Sequence, residues 1–282
     1  MDQGIYRIIE VFGGFVRRVH NAGSQETGKD NLGKLLDIDY KVSRIGFSVS
    51  YSGTLGRYTN MISSLEIRRN HWWDVDIPEE EIDRELHPVN VLALNTQLLM
   101  DRRDDLLFPT SGYYLSLRLE PSYDMDMERF YLKYLEKFSF FLNRFSISQT
   151  FGHIAAPTDG YSVPLPERFF TGGTNTLRIS SFERSGPTFS TGAPSGGRVL
   201  ALVNMEYHVP LLNELEGVVF VDIGNVWRRM EDVSFSSAVK DAGIGIRYRT
   251  PLGPIRAELA WNLDQDTFPS RWKLQFSIGN TF

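Results

Sequence analysis

Cysteine is absent from all 282 positions, which excludes a disulfide framework and a thiolate metal site. Long hydrophobic runs are missing as well. Apolar residues make up 41% of the chain at a mean hydropathy of -0.25, and no stretch reaches the roughly 18 apolar residues that a membrane helix needs. Helical membrane spans are therefore excluded. Charge of one sign is not concentrated either: 30 Lys and Arg are interspersed with 35 Asp and Glu, for a formal net charge of -5. No basic stripe offers itself to nucleic acid. Catalytic patterns are lacking too. Ser and Asp are plentiful, but none joins a His in a nucleophile motif, and His153 and His208 have no companion at metal-ligand spacing. The stretch Thr171-Gly172-Gly173-Thr174-Asn175 lacks the Lys-Ser/Thr of a phosphate loop. The expectation is a non-enzyme with no cofactor and no metal. No Pro/Ser linker or break in composition divides the chain, so a single domain over 1–282 is expected. The opening MDQGIYRIIEVF carries no basic n-region, apolar h-region or cleavage site, which predicts a chain trimmed or read incompletely at its start.

What is present is alternation. Near the C-terminus Trp272, Leu274, Phe276, Ile278 and Phe282 alternate with Lys273, Gln275, Ser277 and Thr281, and upstream Ile255, Ala257, Leu259 and Trp261 alternate with Arg256, Glu258 and Asn262. A period of two with one apolar face is a strand that buries or lipidates one side only. Ala242, Ile244, Ile246 and Tyr248 continue the pattern ahead of the turn Thr250-Pro251-Leu252-Gly253-Pro254, which leaves no room for a crossover helix. The same reading places strands around 199–209, 219–224, 113–119, 130–138, 92–100, 143–152, 58–70, 36–51 and 4–19, with a bulge near Ser43 and Arg44 where the phase slips.

Short links near 54–57, 104–111, 141–144, 210–216 and 250–253 alternate with long ones at 20–35, 72–90 and 153–198. An asymmetric membrane asks this of a barrel with short turns on one side and long loops on the other. The aromatic content of 13%, with 19 Phe and 12 Tyr, suits strands and interfacial girdles. The chain is therefore expected to be all-β: an antiparallel transmembrane β-barrel of about 12 strands in a bacterial-type cell outer membrane. Half-buried strands of a soluble two-sheet protein share the period, and that is the other reading of the alternation.

Five segments in order carry a resemblance. These are Asp101–Leu117 (DRRDDLLFPTSGYYLSL), Pro166–Pro187 (PERFFTGGTNTLRISSFERSGP), Phe220–Trp227 (FVDIGNVW), Thr250–Leu263 (TPLGPIRAELAWNL) and Phe276–Phe282 (FSIGNTF). Over residues 91–282 the chain resembles the C-terminal barrel portion of the BamA- and TamA-like outer-membrane assembly-factor superfamily, the bacterial surface antigen barrels. That resemblance implies a family norm of sixteen strands and a long sixth outer loop folded into the lumen. Only about three strands precede the matched region here, and the family's first strands and periplasmic modules have no counterpart. A compact barrel, a truncated frame and a domain cut from a longer chain all fit that difference.

The resemblance also implies site residues. In the family the long loop carries Val-Arg-Gly-Phe/Tyr, whose arginine pairs with acidic residues on the barrel wall. The matching positions here are Leu177, Arg178, Ile179 and Ser180, behind the glycine pair Gly172 and Gly173; the arginine is kept, while Ile179 and Ser180 replace the Gly-aromatic pair. The implied partners, Glu206 and Asp222, fall on the polar phase of their strands. A lateral seam between first and last strands is implied as well, with Gly279 weakening the last strand and the terminal Phe282 resembling an outer-membrane recognition signal. Read without the resemblance, Arg178 is a solvated loop residue, Trp227 and Trp261 are girdle aromatics, and Glu183 and Arg184 form a local surface pair. The implied activity is assembly, insertion or translocation of polypeptides, with membrane lipid, client outer-membrane or secreted polypeptides and accessory periplasmic proteins as partners. A passive small-solute pore and a structural barrel without transport are the alternatives.

Overall fold

A computed structural model of the chain describes residues 6–18, 40–73, 88–157, 163–181, 184–190, 192–264, 271–279 and 281. Twelve strands follow one another: β1 (Tyr6–Arg18), β2 (Tyr40–Gly56), β3 (Thr59–Trp73), β4 (Val89–Asp101), β5 (Ser111–Asp124), β6 (Arg129–Leu142), β7 (Phe145–Ala155), β8 (Val199–Leu212), β9 (Leu215–Trp227), β10 (Val239–Tyr248), β11 (Ile255–Asn262) and β12 (Trp272–Ile278). Each pairs antiparallel with its sequence neighbours, in the order β1 to β12. Tight hairpins make this order, as at β10–β11, where Thr250 Oγ1 accepts from Leu252 N (3.2 Å) and donates to Gly253 O (2.6 Å). In the β4–β5 turn the Asp104 carboxylate collects the amides of Thr110 and Ser111 (2.9 Å each) and the Thr110 hydroxyl (2.5 Å). That local anchoring of an Asx turn is why the DRRDD stretch ends one strand and starts the next.

The expected closed barrel is corrected by this topology. Among the described residues β1 pairs only with β2 and β12 only with β11, so the sheet is open, with two free edges. The strands flanking the gap also differ in length, 13 residues in β1 against 7 in β12. Alternation assigns a face to each strand but contains no term for edge-to-edge closure, so closure was not legible in it. One smaller correction follows. Pairing runs unbroken through Ser43 and Arg44, and the register shift falls instead between Thr54 and Gly56, at the β2–β3 turn. Trp261, 45% exposed, faces out, and Trp227, 7% exposed, shares the outward phase of Val219 and Ile223, packed with Val199 and Ala238 while its indole N–H donates to Ser237 Oγ (2.7 Å). Phe282, Glu183 and most of the links 20–35 and 72–90 lie outside the described residues.

The two faces of the sheet are inverted relative to a soluble protein. Leu65, Leu94, Ile244, Leu274, Phe276 and Ile278 stand exposed on one face, while Arg68, Glu120, Glu206, Asp222, Arg247, Arg256 and Glu258 are buried on the other. A soluble monomer rarely exposes so continuous an apolar surface; a strand with lipid outside and a polar lumen inside has this pattern.

The long connection between β7 and β8 covers the polar face. Pro166 O accepts from Arg44 on β2 (3.4 Å), and Ser180 O accepts from Lys273 on β12 (2.6 Å). In a flat sheet ten strand spacings would separate those elements by ~48 Å. Fourteen residues reach ~50 Å only when fully extended, and this stretch contains a 3-10 turn at Leu165–Glu167 and a tight turn at 173–177. The sheet must therefore curl around the connection.

Ile244, 56% exposed at the middle of β10 beside Val219 and Leu259, tests the outward face. Ile244→Lys should cost ~2–4 kcal/mol when unfolding is followed in lipid vesicles; a change within about 0.5 kcal/mol, the norm for a water-exposed site, would place that face in water.

Candidate functional site

The connection is clasped at its base and turned at its tip. Phe169 and Gly197 exchange main-chain hydrogen bonds (2.9 and 3.0 Å), and Ser185 N donates to Thr171 O (3.0 Å). Gly172 and Gly173 have φ of +121° and +108°, the left-handed region that side chains avoid; a Cβ on Gly172 would also lie 2.4 Å from Ser181 O. Gly172 N donates to Thr176 Oγ1 (3.0 Å) and Gly173 N to Leu177 O (3.2 Å). This turn aims the next residue, Arg178, at the sheet.

Arg178 is fully buried. Its Nε and Nη2 donate to the two carboxylate oxygens of Asp222 (2.7 and 2.8 Å), and Nη1 donates to Glu206 Oε1 (2.7 Å) and Glu258 Oε1 (3.3 Å). The two-pronged pairing with Asp222 is the strong, orienting form of the arginine–carboxylate contact. Asn204 secures the acid from the side, donating to Asp222 Oδ1 (2.8 Å) and to Thr176 O (2.6 Å). Arg247 Nη2 donates to Glu206 (2.6 Å) and Glu258 (2.8 Å), and Ile179 N reaches Asp241 Oδ2 at 3.4 Å. Burial acts to lower the pKa of the Arg178 guanidinium, and the bonds and charge of Asp222 outweigh it, so the group stays cationic.

Strand register builds this site. One cross-strand row runs Asn204, Asp222, Asp241; the next runs Glu206, Phe220, Gly243, Ala260. A Cβ on Gly243 would lie 2.3 Å from Phe220 Cζ, so the glycine gives that ring room to lie against the sheet. Arg178 stacks over it, 3.5 Å from its centroid, a cation–π contact in a desolvated setting. Leu177 and Ile179, on either side of Arg178, pack with Leu202, Val218, Phe220, Val239 and Ala260. Ser180 is buried and its carbonyl takes Lys273. Gly279, at φ +100°, lies just past β12 and donates to Pro254 O (2.8 Å), apart from the arginine cluster.

A second cluster holds the start of the connection. Glu167, 1% exposed, receives Arg68 Nε (3.1 Å) and Nη2 (2.6 Å), and Arg68 also reaches Glu120 (2.7 Å) and Glu66 (2.9 Å). Lys133 Nζ donates to Glu167 O (2.9 Å), and Arg44 lies 3.6 Å from the carboxylate. Burial pushes the Glu167 carboxyl up, but the charges of Arg68, Lys133 and Arg44 and the Arg68 hydrogen bonds prevail and hold it at about 2.

The sequence profile described as the Omp85 superfamily domain matches residues 19–282. The chain belongs to the Omp85 superfamily. It is 24% identical over 257 residues to the outer membrane protein assembly factor BamA of Nitratidesulfovibrio vulgaris, covering 86% of this chain and 32% of that protein. It is 30% identical over 127 residues to the chloroplastic outer envelope protein 80 of Arabidopsis thaliana, covering 42% of this chain and 15% of that protein. The chain thus spans a third or less of the length of these Omp85 relatives. Among solved structures, BamA from Haemophilus ducreyi lacking POTRA domains 1–3 superposes with a TM-score of 0.67 at 16% identity, over 84% of this chain and 54% of that one. That is a likeness of fold.

Of the residues singled out in sequence, Arg178, Glu206 and Asp222 come together, Gly172 and Gly173 shape the turn before them, and Leu177, Ile179 and Ser180 flank the arginine. Four further members escaped: Asn204, Asp241, Arg247 and Glu258. All sit on the polar phase of strands already read, so tracing every inward acid and base across neighbouring strands would have found them. Glu167 had no such signal, because an irregular connection has no phase. His208, isolated in sequence, lies between Glu216 (2.5 Å) and Ser146 (3.1 Å). No group of three or more metal-competent side chains occurs among the described residues.

Two outcomes are expected. Asp222→Ala removes both acceptors of a buried fork and should destabilise the protein by ~3–5 kcal/mol, read from denaturant unfolding in vesicles. For Glu167 the folded pKa is depressed from 4.5 to about 2, so its contribution is complete above pH 4.5 and is lost as pH falls toward 2. Amide-exchange protection at 167–169 should drop across that window, and Glu167→Gln should flatten the drop; an identical pH response in the variant would remove Glu167 as its source.

Proposed function

We propose that the chain works in the outer membrane as an insertion or assembly factor for other outer-membrane polypeptides. The observation that carries this reading is the buried, ion-paired Arg178, which fixes the long connection over the polar face of a lipid-facing sheet in an Omp85 chain. A passive pore would keep the space over that face open, whereas Leu177–Ser180 fill it against β8 to β12. The printed function of the BamA relative, an outer membrane protein assembly factor, supports the same class.

The chemistry available is backbone pairing. β12 (Trp272–Ile278) has a neighbour on one side only, and β1 likewise, so each presents a row of main-chain donors and acceptors. A client strand adds to such an edge by β-augmentation, gaining main-chain hydrogen bonds while its apolar side chains meet lipid beside Leu274 and Phe276. Gly279 ends β12 and limits the template to a short one, which favours release. Membrane lipid and client polypeptides are the partners this mechanism requires, and accessory periplasmic proteins are the further partners that the resemblance implies.

Arg178→Ala, compared with the parent chain in vesicles supplied with an unfolded outer-membrane client, should slow client insertion severalfold while the strand content read by circular dichroism stays that of the parent. Unchanged insertion together with steady ion conductance that rises on deleting 163–198 would replace this reading with a pore.

A further inference from the structure

The connection between β7 and β8 is held by two separate ion-paired clusters that grip opposite ends of the sheet. Glu167 and Pro166 attach to Arg68 on β3, Arg44 on β2 and Lys133 on β6. Arg178 and Ser180 attach to β8, β9, β11 and β12 through Glu206, Asp222, Glu258 and Lys273. Between them Phe169 is seated over Gly152, where a Cβ would come within 2.7 Å of its ring, in a cluster drawn from β4, β6, β7, β8 and β9. That middle seat lies on the inner strands and reaches neither β2, β3, β11 nor β12.

We propose that Glu167 is a positioning residue, and that residues 163–181 form a strap in which the Glu167 and Arg178 clusters act in series to hold the two arms of the open sheet curled toward each other. Hydrogen bonding between strands does not fix the distance between β2 and β12, because every strand pair can change its twist a little. A short, turned segment pinned at both arms does fix it. Releasing either pin frees both arms, since a strap carries load only while both ends hold. Two independent local anchors behave differently: sites without shared partners act additively. The geometry also explains why the Glu167 side chain is bound by both carboxylate oxygens to one arginine while its carbonyl takes a lysine from another strand: main chain and side chain of the same residue are held, and the segment cannot pivot there.

This inference goes beyond the assembly reading, and its test uses no client, so either can fail alone. The absence of native cysteine allows a spin-label pair at Leu55→Cys and Leu252→Cys, exposed positions (61% and 88%) on the β2–β3 and β10–β11 hairpins. Pulsed dipolar spectroscopy on the full chain in bilayers would compare the parent with Glu167→Ala, Arg178→Ala and the double variant. Each single change should lengthen the distance by about one strand spacing, ~5 Å, and the double should lengthen it no further than the larger single. A distance unaltered by Glu167→Ala, or a double shift equal to the sum of the singles, would overturn the strap. Should Glu167→Ala lose its strand content, Glu167→Gln, which keeps shape and removes charge, decides the matter: a longer distance supports the strap and an unaltered one rejects it.

Discussion

A guanidinium removed from water must have its donors met by acceptors and its charge met by charge, and the C-terminal half of this sheet is arranged to satisfy Arg178. The cost of burying an ion is several kcal/mol, and attraction repays it only with well-placed partners. Asp222 supplies two oxygens, Glu206 and Glu258 one each. Those three acids lie on three strands, so the bond network depends on the relative register of β8, β9 and β11. A slip of one residue in any of them would turn its acid toward lipid. The loop and the register of the wall thus specify each other.

The inverted faces set a second constraint. An apolar exterior contributes nothing to holding the sheet curled when the surroundings are as apolar as the side chains, so cohesion across the polar face must come from directed contacts. Here it comes from two charge clusters and a seated phenylalanine, all on one connection. Among the described residues β1 and β12 each have one neighbour only, and it is on those edges that the proposed strand addition rests.

Strand identity, hairpin order and the polar phase of Glu206 and Asp222 were legible because alternation is local and the turns carry their own chemistry, as Asp104 and Thr250 show. Arg178 was legible only through the resemblance; its spacing alone marks it as a loop residue. Edge-to-edge closure was misread, because whether β12 meets β1 depends on strand number and shear, and neither leaves a mark on any single strand. Glu167 was invisible for a different reason: its partners Arg68 and Lys133 are 99 and 34 positions away, and nothing periodic connects them.

Where the resemblance implies a Gly-aromatic pair after the arginine, Ile179 and Ser180 are buried against the wall. Among the described residues the only non-glycine positions at positive φ are Glu128 and Asn143, so the backbone after Arg178 does not need the conformation that a glycine would serve there. The apolar contact comes from Ile179 itself, set among Leu202, Val218 and Val239. The aromatic ring under the guanidinium comes from Phe220, which Gly243 allows to lie flat. The ring, the fork of carboxylates and the dry setting of Arg178 all come from the strands beneath the loop.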